Sequence, residues 1–213
     1  TGRHKIAARY RSYHGGTSGA LSATGDPRRW FAEPGMPGIF RIPDFHEYGA
    51  AEPRPVAEVL AETEKIIRFE GPQTVAAIIV EPVVGTNGIL IPPDGYVQGV
   101  REICDRYDIL MVADEVMAGF GRTGKMFAVE SLGVQPDIIC MAKGIASGFP
   151  FAALGTRREL DDKWPTGSHG GTYGGNPMGC AAALMLLANP QLFLVLLAIV
   201  PCLLLVHGFF RGK

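Results

Sequence analysis

The chain has 213 residues, room for one domain with a sizeable core, or for one domain and a piece of another. Its composition, 47% hydrophobic and 19% charged, excludes a disordered chain. A net charge of −1 offers no electrostatic footing for nucleic acid or an anionic membrane. In chain order, the first strand expected is KIAARY (5–10). Residues 26–54 are rich in Pro, Gly and charge without a period, and read as an irregular surface excursion with a short strand at GIFRI. Residues 55–69 place Val56, Val59, Leu60, Ile66 and Ile67 on one stripe, the i, i+3, i+4 spacing of a helix laid on a sheet. A strand AAIIVEP (76–82) follows, then a second such helix over 96–107 with Val97, Val100, Ile103 and Tyr107. The remaining strands are ILMVADEV (109–116), DIICMAK (137–143) and AALG (152–155).

Three of these strands are nearly continuous apolar runs, as strands buried on both faces should be. Their alternation with helices predicts an α/β fold: a largely parallel mixed sheet flanked by helices, with right-handed crossovers. Ligands of such sheets sit beyond the carboxyl ends of the strands. Near the end, Leu192–Val206 is fifteen residues interrupted only by Pro201. A membrane span needs roughly 18 or more apolar residues, so a buried helix suits the run at least as well.

The cysteines are Cys104, Cys140, Cys180 and Cys202, none at a C-x-x-C spacing. Reduced thiols in a reducing, cytoplasmic compartment are expected, and no metal site. The chain begins at Thr1 rather than Met, so the lack of a basic-then-apolar leader says little about location.

The stretch GFGRTGK (119–125) fits two phosphate-binding patterns. A P-loop needs Ser or Thr after its lysine to hold magnesium, and position 126 is Met. A dinucleotide fingerprint needs a long helix, then a strand closed by an acid; here Asp137 opens its strand instead. Better chemistry flanks the loop. One strand ends at Asp114 and the next at Lys143, which parallel pairing would bring to one sheet edge. An acid and a lysine there suit pyridoxal phosphate: the lysine bonds the cofactor aldehyde as a Schiff base, and the acid pairs with the protonated ring nitrogen. The plain alternative is a buried ion pair, or a lysine that is simply solvated.

The stretch VADEVMAGFGRTGKMFAVESLGVQPDIICMAKGIASGFPFAALG resembles the central signature of the class III aminotransferases, pyridoxal-phosphate enzymes of fold type I. SYHGGTSGA, IIVEPVVGTNGILIPP and GGTYGGNPMGCAAA extend the resemblance, in the same order, from about Gly2 to about Leu184. It implies that Lys143 carries the cofactor and shuttles the proton, and that Asp114 bonds the ring nitrogen. It places Tyr13, beside His14, on one ring face and Val116 on the other. It sends Thr172 across a homodimer interface to the phosphate of the partner's cofactor. Glu81 is expected either to line the site or to act as a structural cap. Tyr13 could instead seal a strand end, and Thr172 could be a turn residue before Asn176-Pro177. Met117 departs from the family, in which many members carry Gln to bond the cofactor's phenolic oxygen; a thioether cannot donate that bond.

The implied activity is transfer of an amino group from a primary amine or ω-amino acid to a 2-oxo acid such as pyruvate or 2-oxoglutarate. The alternatives are a racemase, aminomutase or decarboxylase of the same family, or an inactive fragment, truncated or tethered to membrane by its apolar end. Residues 1–184 read as part of the cofactor-binding large domain. Residues 185–213 read as an atypical apolar tail: from about Leu186 the chain departs from the family pattern, as a frameshift or fusion would, and NPQLFLVLLAIVPCLLLV shows no polar face.

Overall fold

A computed structural model describes residues 1–188. The expectations for Leu192–Val206 and Cys202 lie outside the described residues. Six strands form one sheet: β1 (Lys5–Arg9), β2 (Ile39–Ile42), β3 (Val75–Val80), β4 (Leu110–Asp114), β5 (Ile138–Met141) and β6 (Ala153–Thr156). Their order is β2-β1-β3-β4-β5-β6. The first five run parallel, and β6 turns back antiparallel to β5. The largely parallel mixed sheet of the sequence reading is therefore present. The expected strand GIFRI forms β2, which pairs with β1 from within the otherwise irregular excursion.

Two helices carry the main core. α1 (Ser18–Ala23) is short; α2 (Val56–Glu70) and α3 (Tyr96–Arg106) are the two amphipathic helices expected. α2 stops at Gly71, whose φ of 80° is open to glycine at no steric cost, and Pro72 cannot continue the helix. α3 turns into β4 through Asp108, and Ile109 N–H donates to Cys104 O at 2.8 Å. Val59 and Ile67 of α2 and Val97, Val100 and Ile103 of α3 pack on Ile78 and Val80 of β3 and on Met111 of β4. Each such aliphatic side chain contributes roughly 1.5–3 kcal/mol when fully buried. The alternating residues Ile79, Leu110 and Val112 are only partly covered, so burial on both faces does not hold within the described chain. The reason is that α2 and α3 offer their apolar stripes to one face.

A smaller second core joins the loop after β4 to the turn after β5. It contains Phe120, Ile145, Ala146, and Ala183 and Leu186 of the last helix. Two four-residue helices, α4 (Ala128–Ser131) and α5 (Arg158–Asp161), precede that last helix, α6 (Pro177–Ala188). α6 runs past the boundary expected at residue 184. No helix among the described residues is long and apolar enough to cross a membrane.

Candidate active site

The chain leaves β1 to one side to build β2, then crosses back to place β3 on the other side of β1. The crevice beyond the carboxyl ends of β1 and β3 is thus a topological switch point, where doubly wound sheets take their ligands. A cavity of about 160 Å³ lies there, lined by Tyr13, His14, Gly15, Glu81, Gly85, Thr86, Asp114, Val116, Met117 and Lys143. Six of the seven site residues expected from sequence, all but Thr172, meet in it.

Asp114 closes β4 and is only 6% exposed. Its Oδ2 lies 2.7 Å from His14 Nδ1, and its Oδ1 accepts the Val116 N–H at 3.1 Å. With the carboxylate ionised, His14 carries its proton on Nδ1. That leaves His14 Nε2 buried and without a partner among the described residues. Asp114 is therefore braced at both oxygens while it faces the cavity.

Glu81, one residue past β3, is 5% exposed. Its Oε1 accepts the Tyr13 N–H at 3.0 Å and its Oε2 the Gly85 N–H at 2.8 Å. Glu81 thus lines the cavity and ties its two walls across the switch point. Behind it, the fully buried Arg9 donates from Nη2 to the Glu81 carbonyl at 3.1 Å, with its guanidinium over Phe45 and Tyr96.

Lys143 differs from the expectation of a strand end. β5 stops at Met141, and Lys143 opens a 3-10 turn, Lys143–Ala146. Its φ is +50°, left-handed backbone that costs a non-glycine residue about 1–3 kcal/mol. It is also exposed, because the turn lifts it clear of the apolar run; the buried setting expected for it is not supplied by the described residues. Parallel pairing still brings it to the acid, since Asp114 sits opposite Cys140, three residues before it. Thr172 lies exposed on the loop before α6 and does not line the cavity.

Several participants were not legible in the sequence. The Arg28 guanidinium stands 3.7 Å from the centroid of the Tyr13 ring. Its Nη2 donates to Thr86 Oγ1 at 2.9 Å, and it pairs with the buried Asp26. Only the D-P-R turn signal hinted at this, since Asp26 caps the Pro27–Ala32 turn. A methyl on Gly85 would lie 2.9 Å from Met117 Cγ, so glycine there keeps the wall thin. The GFGRTGK loop does not line the cavity. Phe120 N–H donates to Met126 O and Gly121 N–H to Lys125 O, closing a reverse turn that leaves Lys125 exposed. Asp137 takes Arg101, Arg157 and the Met111 N–H instead of a ribose.

A family model described as aminotransferase class-III matches residues 1–191. The chain belongs to the class III aminotransferases. An acetylornithine aminotransferase of Methanopyrus kandleri is 44% identical over 182 residues, covering 85% of this chain and 43% of that protein. An (S)-enantioselective omega-transaminase from Thermomicrobium roseum superposes with a TM-score of 0.80 at 42% identity, covering 88% of this chain and 45% of that one. A taurine:2-oxoglutarate aminotransferase from Bifidobacterium kashiwanohense, in complex with PLP and glutamate, gives 0.84 at 38% identity, covering 99% and 50%. This chain thus spans less than half the length of the curated relatives it matches, about 43% of the acetylornithine enzyme. The sheet and its flanking helices match the fold type I aminotransferases.

Class III aminotransferases depend on pyridoxal phosphate, and the residues present fit that group. A braced, nearly buried carboxylate, an orphaned imidazole nitrogen, an accessible amine and the flat flank of Val116 share one cavity.

Proposed function

We propose that the whole protein moves an amino group from a primary amine or ω-amino acid to a 2-oxo acid such as pyruvate or 2-oxoglutarate, using pyridoxal phosphate. The observation that carries the reading is that Asp114 and Lys143 line one cavity at the switch point. Pyridoxal phosphate, when bound, supplies an aldehyde that takes an amine and a ring that draws electrons from the neighbouring carbon. Asp114 would hold the protonated ring nitrogen, and His14 and the Val116 N–H keep its carboxylate aimed. Lys143 Nζ would be the amine that holds the cofactor through its aldehyde, and the base that would carry a proton to and from the donor carbon. Val116 covers one ring face. Tyr13 offers the face of its own ring opposite Arg28. Glu81 holds the Tyr13 and Gly85 walls and would line the space that the cofactor takes.

Among the described residues a single Lys or Arg, Lys143, lines the cavity, so the phosphate needs a further holder. The exposed Thr172 supports the reading that a second copy supplies it in a homodimer. Residues 1–184 form part of the large domain of the complete enzyme, and residues 185–213 an atypical apolar extension. The compartment is the cytoplasm.

The test is addition of pyridoxal phosphate, borohydride reduction and peptide mass mapping. The expected label is on the peptide carrying Lys143. A folded chain labelled only at other lysines contradicts the assignment. For the complete protein, alanine formed from an amine donor and pyruvate separates a transaminase from a racemase, aminomutase or decarboxylase.

A further inference from the structure

We propose that Phe120, in the GFGRTGK loop, is a positioning residue for the Lys143 amine. The inference rests on Lys143 being the cofactor-carrying lysine. Lys143 is exposed, so its direction leans on the backbone turn that carries it. That turn is unusual: Lys143 and Ser147 both take left-handed φ, at 50° and 51°. Such backbone persists only where its surroundings over-determine it. Within the turn the restraints are Ile145 N–H to Ala142 O and Ser147 N–H to Gly144 O, both 3.2 Å.

The remaining restraint is the second core. Ile145 and Ala146 are each 3% exposed and pack with Phe120, itself 2% exposed. Phe120 reaches the lysine's neighbour directly. A Cβ added to Gly144 would lie 3.0 Å from Phe120 Cβ and 3.5 Å from its ring. Phe120 is rigid in turn, with φ of 58°, its N–H bonded to Met126 O, and its ring edge-on to Phe127 at 5.5 Å. The loop thus presses a wedge against the backbone that aims Lys143. Gly144 lacks the side chain that would push the wedge away.

The experiment uses the 213-residue chain with added pyridoxal phosphate, quenched with borohydride at intervals. The rate of labelling at Lys143 is read against that at the exposed Lys125. Phe120→Leu removes the ring but keeps an apolar side chain; Gly144→Ala crowds the wedge from the other side. Ile67→Val, in the main core, serves as the control for lost stability. All are measured well below their melting temperatures. Phe120→Leu and Gly144→Ala are expected to slow Lys143 labelling by roughly tenfold to a hundredfold, with Lys125 unchanged. The control is expected to keep the wild-type ratio. The pH midpoint of the lysine-bound chromophore should also move in both variants and stay in the control. Ratios and midpoints equal to wild type in both variants overturn the positioning role alone. A wild-type chain unlabelled at Lys143 overturns the functional reading, and this one with it.

Discussion

Replacing Asp137 with alanine should destabilise the fold by about 3–5 kcal/mol, the range for breaking a buried pair by removing one partner. Asp137 is 6% exposed and accepts three donors: Arg101 Nη1 at 2.7 Å, Arg157 Nη2 at 2.8 Å and Met111 N–H at 2.7 Å. Met111 is fully buried, so its amide loses its partner and finds no water, at roughly 1–3 kcal/mol. The Arg101 bond is charge-assisted and half-sheltered, and contributes about 1.5–3 kcal/mol. Burial works against the Arg101 charge, yet the hydrogen bond to Asp137 and the charges around it, that of Asp137 first, together outweigh burial and hold the guanidinium pKa above its usual value. Arg157 is half exposed and adds little. Asp137→Asn keeps an acceptor for Met111 but loses the charge, and should cost about 1–2 kcal/mol. Urea denaturation followed by circular dichroism measures both, at constant m-value. A loss under about 1 kcal/mol for the alanine variant would refute the idea that this network ties β4, β5 and β6 together.

Three further outcomes are expected. Arg106, Tyr107 and Arg68 hold the Glu64 carboxyl down at about 2, against an ordinary 4.5. Its folded pKa is lowered, so its stabilisation is present above 4.5 and fades as pH falls towards 2; Glu64→Gln should flatten that part of an acid-denaturation profile. Burial pushes the Cys104 thiol up to about 12; burial and the nearby Asp114 push Cys140 to about 11. Iodoacetamide at pH 8 should therefore modify neither in the folded chain and both in urea, as mass spectrometry would show; labelling of Cys104 without urea contradicts its burial. A methyl on Gly25 would fall 2.0 Å from Arg9 O and 2.3 Å from Tyr10 O, backbone that cannot step aside. Gly25→Ala should cost at least about 3 kcal/mol in denaturant, at or beyond the upper end of ordinary overpacking. Near-wild-type stability would mean that the β1 exit is looser than the contacts imply.

Much of the architecture was legible before any coordinate. Apolar runs alternating with 3.6-period stripes named the strands and the helices α2 and α3, though not α6, because burial of these elements is a local property of their own residues. The carboxyl edge followed from parallel pairing, and with it the meeting of Asp114 and Lys143. Boundaries were less legible. Lys143 lies past the end of β5, since nothing in DIICMAK marks where hydrogen bonding to the neighbouring strand stops.

The sequence by itself determined the fold class, the family and the acid and lysine of the candidate site, for these rest on periodicity and on motifs read along one chain. The tertiary structure alone decided what those residues touch. His14 reaches Asp114 across 100 positions, and Glu81 ties Tyr13 to Gly85 across the switch point. Arg28 covers Tyr13, and Phe120 of GFGRTGK lies against Gly144 of the Lys143 turn. Spacing along the chain specifies which residues share an edge. The direction of a side chain, and what packs behind it, follow only from segments far apart in sequence being brought together.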